Sequence, residues 1–135
     1  MLNKTILEIM IPLKDFQTIK NDDYFHDAVE ALDGNHWGGV FIVNKDNHAN
    51  GIFTDGDARR VLLKNQNPLA QLNATEITKY MTKDPKVVLH SEMILDVFKM
   101  MNESGILVVP VVDEEKKIIG LVHIQHIAKE FLKSL

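Results

Sequence analysis

Two copies of one pattern run through the chain, and any fold must accommodate both. Gly51-Ile52-Phe53 and Gly120-Leu121-Val122 stand 69 positions apart, since 120 − 51 = 69. Each follows an apolar strand and a seven-residue polar turn, Asn44 to Asn50 in the first copy and Asp113 to Ile119 in the second, and each precedes an amphipathic helix. The strands before the turns, Val40 to Val43 and Val109 to Val112, keep that register, as do helical stretches at Ala28 to Leu32 and Val97 to Met101. Upstream, Ile6 to Met10 corresponds to Ile77 to Met81 at an offset of 77 − 6 = 71, a small change of loop length. An internal repeat of this kind sets the architecture before any single residue does.

Each copy therefore reads as a short opening helix, a short strand (Thr18-Ile19 or Val87-Val88), a helix, a strand, a turn, a strand and a closing helix. Met93, Val97, Met100 and Met101 recur at helical spacing, with Ser91 where an N-cap would stand. The Val- and Ile-rich runs read as strands buried under helices. Residues 65–75, rich in Asn and holding Pro68, read as a linker between a first repeat at 1–64 and a second at 76–135. Neither half would bury much alone, so the expectation is an α+β module of two β-α-β-β-α repeats sharing one core about a pseudo-twofold axis.

Composition narrows the function classes. At 45% hydrophobic and 25% charged, the 135 residues suit a globular domain and not a disordered one. Fifteen Lys and Arg against 19 Asp and Glu leave a net charge of −4, with no basic field for a nucleic-acid polymer or an acidic membrane. Zero cysteines exclude a disulfide framework and a thiolate centre and suit the cytoplasm. The apolar stretch from Met1 to Leu13 is broken by Glu8 and Pro12, so neither a signal sequence nor a membrane span is expected. Apolar helix faces such as Leu95, Phe98 and Met101, or Val61 and Leu62, exceed what one core covers and suggest a homodimer.

The strongest chemical signal is Gly51-Ile52-Phe53-Thr54-Asp55-Gly56-Asp57-Ala58-Arg59-Arg60, where a strand passes directly into a helix. Free N–H groups of a first helical turn and a Thr hydroxyl suit a phosphate. Asp57 offers two acceptor oxygens to a ribose diol, and Arg59 or Arg60 supplies positive charge. The same Thr54-x-x-Asp57 spacing also has the form of a capping box, in which the two side chains only satisfy backbone donors.

A doubled strand-helix unit closed by this G-h-h-[ST]-x-x-D pattern resembles the CBS domain family, over about Ile6 to Lys133. Within that family, Gly51 to Arg60 and the His after the strand in Gly120-Leu121-Val122-His123-Ile124-Gln125-His126 are most similar to the CBS pair at the C-terminus of arabinose 5-phosphate isomerases of the KpsF/GutQ type. The resemblance implies a regulatory ligand, AMP, ADP, ATP or a CMP-sugar. It places Thr54 at phosphate, Asp57 at ribose and the backbone around Gly39, Val40 and Phe41 at the base, with Ile19 and Arg60 in the same site. The second copy departs from the pattern, since His123 replaces Ser or Thr and His126 replaces Asp; it is expected to form only a weak second site, strengthened by protonation below about pH 6.5. The sugar isomerase domain that precedes such pairs has no counterpart in this sequence, so isomerase activity does not carry over. The reading is a regulatory nucleotide-binding module, with a ligand-free dimerisation scaffold or a regulatory fragment of a sugar-phosphate isomerase as alternatives.

Other candidates weigh less. His123 and His126 are three apart and have metal-ligand spacing, but a third ligand, such as His90, is not fixed by the sequence, so no metal is expected. The methionines suit helix and core packing, and Trp37 suits a half-buried anchor in a tight turn. With no G-x-S-x-G, P-loop or H-E-x-x-H element, and nothing to position a nucleophile or water between Asp55 and Asp57, the expectation is a non-enzyme.

Overall fold

The computed structural model describes residues 3–135, so Met1 and Leu2, the start of the N-terminal apolar stretch, lie outside the described residues. The described residues form two compact units, one of Phe16–Pro85 and one of residues 3–15 with Lys86–Leu135. The expected β-α-β-β-α order is present in both.

In the Phe16–Pro85 unit, β2 (Thr18–Lys20), α1 (Phe25–Asn35), β3 (Gly39–Val43), β4 (Ala49–Thr54) and α2 (Asp55–Lys64) follow one another. Sheet order is β2-β3-β4-β5, where β5 is Thr82–Lys83. β2 runs parallel to β3, and β3-β4 is an antiparallel hairpin. Alternation decides the core: Val40 and Ile42 of β3 and Phe53 of β4 meet Phe25, Ala28, Ala31 and Leu32 from one stripe of α1.

The other unit repeats this with β6 (Val88–Leu89), α4 (Ile94–Ser104), β7 (Val108–Val112), β8 (Ile118–His123) and α5 (Ile124–Lys133). Its sheet order is β1-β8-β7-β6, with β1 at Ile11–Pro12. The core joins Ile94, Val97 and Met101 of α4 to Val109, Val111, Val122 and Ile127.

Sequence repeats and compact units do not coincide, because the opening segments are exchanged. Ile6 is fully buried beside Val97 and Val109, and its N–H donates to Glu92 O at 2.9 Å, while the Ile94 N–H donates to Lys4 O at 3.1 Å. The corresponding segment of the second repeat does the reciprocal thing: Ile77 lies in the Phe25 core, its N–H donates to Asp23 O at 2.9 Å, and the Phe25 N–H donates to Thr75 O at 2.8 Å.

Several local expectations are corrected. The opening helices are single 3-10 turns, Ile6–Glu8 and Ile77–Lys79. The turns are shorter than read, because β4 and β8 begin at Ala49 and Ile118. The N-cap position of α4 is Met93, which makes no side-chain cap, and not Ser91. Residues 65–75 hold a short helix, α3 (Leu69–Asn73), whose Leu72 is buried in the Phe25 core. β6 is also one residue shorter than β2. Thr18 pairs with Phe41, whereas the corresponding Val87 would face Pro110, which has no N–H to bring to a ladder.

Candidate functional site

The junction of β4 and α2 is the best-defined polar cluster of the Phe16–Pro85 unit. β4 carries Thr54 to the sheet end opposite Gly39, and α2 starts at the next residue. Thr54 is the N-cap, and the capping box is fully formed. Its hydroxyl oxygen accepts from the Asp57 N–H at 3.2 Å, and its own N–H donates to Asp57 Oδ2 at 3.0 Å. The second carboxylate oxygen of Asp57 is also engaged, accepting from Arg60 Nη2 at 2.7 Å. The Asp57 side chain is 15% exposed and that of Arg60 58%. The Asp55 N–H donates to Gly38 O at 3.0 Å, and Gly38 is in the left-handed region at φ 83°, a conformation that favours glycine.

Beside this junction lies a cleft of about 540 Å³, within the size range of small-molecule sites. Asp57, Arg60, Val61 and Lys64 line it at i, i+3, i+4 and i+7 along α2, with Asn65 at the C-cap of that helix and Tyr80 also in the lining. Thus Asp57 and Arg60 of the expected site share a cleft, and Lys64 and Tyr80 join them unforeseen. Helical spacing from Asp57 points to Lys64. No local signal points to Tyr80, which arrives through the exchanged opening segment and packs edge-on against Phe25 at 5.9 Å.

Thr54, Ile19, Gly39, Val40 and Phe41 are not among the residues that line the cleft. Ile19 and Val40 turn their side chains into the Phe25 core, leaving only backbone to meet a ligand. Phe41 is fully buried and packs on Trp37 with ring centroids 5.0 Å apart. The Gly39 carbonyl accepts from Asn35 Nδ2 at 3.1 Å, and β2 pairs with β3 only from Phe41 onward.

At the corresponding junction of β8 and α5, two imidazoles take over the capping box. His123 Nδ1 accepts from the Gln125 N–H at 3.1 Å, and the His123 N–H donates to His126 Nδ1 at 3.1 Å. A ring nitrogen accepts only while unprotonated, so this capping box requires both rings neutral with the proton on Nε2. Burial holds His123 below the ordinary imidazole value; burial, then the charges of His123 and Lys129, does the same for His126. Protonation that would let His123 meet a phosphate is thus moved to lower pH than the unperturbed value of about 6.5. His90, the third ligand weighed for a metal, is instead paired with Glu114 at 2.8 Å. Among the described residues no group of three or more His, Asp or Glu is placed to hold a metal ion, and no helix is long and apolar enough to cross a membrane.

Comparison with known proteins gives the family and the fold. Residues 6–64 and 74–133 each match the CBS domain. An uncharacterised protein of Chlamydia muridarum is 35% identical over 107 residues, 76% of this chain and 31% of that protein. The arabinose 5-phosphate isomerase KdsD of Francisella tularensis subsp. tularensis is 29% identical over 122 residues, 90% of this chain and 36% of that enzyme. The chain thus spans about a third of the length of these curated relatives. Among solved structures, CBSX2 in complex with AMP shares the fold at a TM-score of 0.84 and 22% identity, covering 98% of each chain. The CBS domain pair of MJ0100, in complex with 5′-methylthioadenosine and S-adenosyl-L-methionine, does so at 0.78 and 21%, again over 98% of each. The CBS domain of a bacterial CNNM/CorC family Mg2+ transporter in complex with ATP does so at 0.80 and 17%, over 97% of this chain and 89% of that one.

Proposed function

The chain belongs to the CBS domain family, and from that membership we propose that it is a regulatory module that binds an adenosine-type nucleotide or a sugar nucleotide and is not itself an enzyme. The observation that carries this reading is Asp57, a carboxylate only 15% exposed that lines a cleft of about 540 Å³ at the end of the last strand of a matched repeat. AMP, S-adenosyl-L-methionine and ATP, held by three proteins of the same fold, support an adenosine moiety. In this reading Thr54 meets phosphate, Asp57 the ribose diol, and the backbone from Gly39 to Phe41 the base. One ligand binds tightly per chain, because a neutral imidazole at His126 cannot hold both hydroxyls. The similarity to an arabinose 5-phosphate isomerase supports service to a larger sugar-phosphate enzyme. We place the module in the cytoplasm, as a homodimer.

One observation favours the alternative of a ligand-free scaffold: Thr54 and both oxygens of Asp57 are already engaged within the chain. Melting and calorimetric titration with AMP, ADP, ATP, CMP, CMP-sugars, NAD and S-adenosylmethionine separate the two readings. A ligand at about a hundred times its Kd adds about 2.7 kcal/mol, a rise in Tm of several degrees. Asp57→Ala is expected to abolish that rise while costing the unliganded fold about 1 kcal/mol for the lost cap. A lowered Tm with unchanged affinity in Asp57→Ala would reduce Asp57 to a helix cap, whereas no ligand response in the native protein decides for the scaffold.

A further inference from the structure

The Asp57 oxygen that a diol would need is not free but is held by Arg60 Nη2 at 2.7 Å. The guanidinium reaches it from the next turn of α2, with 58% of its side chain exposed, so it can swing away without disturbing the core. The other guanidinium in this region is close by. A Cβ built on Gly56 would lie 3.3 Å from Arg60 Nη1 and 3.7 Å from Arg59 Nη2, so two cations gather over one residue that has no side chain of its own. Lys64 lines the same cleft one turn beyond Arg60.

Resting on the nucleotide reading above, we propose that Arg60 is a latch on Asp57 that makes the site select nucleoside phosphates over uncharged nucleosides. A neutral nucleoside that takes the Asp57 oxygen strands the guanidinium and forfeits the ion pair. A nucleotide takes the same oxygen with its diol and returns to Arg60 a phosphate, a bidentate partner at least as good as the carboxylate it lost. The exchange therefore favours a nucleotide, whose phosphate takes two guanidinium N–H bonds where Asp57 takes one, and costs a nucleoside the ion pair.

The test is calorimetric titration of adenosine with AMP, and of cytidine with CMP, against the native chain, Arg60→Ala and Arg60→Lys, with Tm recorded for each. In the native chain the nucleotide of a pair is expected to bind at least tenfold tighter than its nucleoside. In Arg60→Ala the nucleoside should bind up to about fivefold tighter, the yield of breaking an exposed ion pair, and the nucleotide at least tenfold weaker. Arg60→Lys, which keeps the charge without the fork, should fall between the two. Equal affinity of nucleoside and nucleotide in the native chain, or an Arg60→Ala effect of the same sign on both, overturns the latch and leaves the nucleotide reading standing. If none of the four compounds binds the native chain, the nucleotide reading itself fails and the latch with it.

Discussion

Gly51 and Gly120 show how one repeated residue comes to be required for different reasons. Both glycines lie where an exchanged opening segment crosses a strand, and both are covered by a methionine of that segment. A Cβ on Gly51 would collide with the Met81 side chain. A Cβ on Gly120 would collide with Met10 and would also come within 2.7 Å of the Ile11 carbonyl oxygen. A thioether can move aside, but a backbone carbonyl held by the β1-β8 pairing cannot. Gly120→Ala is therefore expected to destabilise by about 1–3 kcal/mol and Gly51→Ala by clearly less, as measured by urea denaturation. Equal losses would refute this account. The methionines at Met10 and Met81 are thus packing residues, as their sequence context suggests.

Helices α2 and α5 start with the same construction and different chemistry. Thr54 and Asp57 cap α2 with oxygens, whereas His123 and His126 cap α5 with ring nitrogens that accept only while unprotonated. Both imidazoles are held below their ordinary value in the folded state, by burial first, so the native state binds fewer protons than the unfolded chain as pH falls. The sign follows from linkage: this stability is fully present above about pH 6.5 and is lost as pH falls from there through the lowered folded values. The expected outcome is a decline in Tm between pH 7 and 5 that shrinks when His123→Thr and His126→Asp together restore the oxygen caps. An unchanged decline in that double variant would show that other groups carry it. Glu114 and Glu130, whose carboxyls are also lowered, by a backbone hydrogen bond and by Lys4 respectively, act in a more acid range and do not confuse the reading.

Across the full chain, the exchange of opening segments ties residue 6 to a core whose other fully buried members lie beyond residue 86. Ile6 is 0% exposed there. Ile6→Ala is expected to cost about 2–5 kcal/mol, the range for a buried isoleucine truncated to alanine. In native-state hydrogen exchange the loss should lower protection in β7 and β8 more than in β3 and β4, although β3 and β4 are much nearer in sequence. Loss confined to β3 and β4 would mean that Ile6 belongs with its own repeat.

By itself, the sequence determined the number of repeats, the β-α-β-β-α order within each, the place of the strand-to-helix junctions and the asymmetry between Thr54-Asp57 and His123-His126. These are local properties: an apolar run ended by a polar turn, a helical spacing, a capping residue at its proper distance, all written within about ten neighbouring positions. Tertiary structure alone decided what depends on partners distant in the chain. It placed Ile6 and Ile77 in the cores of the opposite repeats and made a helix of a polar segment because Leu72 had a core to enter. It brought Tyr80 to the cleft beside Asp57, and it closed Arg60 onto that same carboxylate. The physical reason is that periodicity states which side of an element is buried but not which other element buries it, and a carboxylate's spacing states where it can reach but not which donor gets there first.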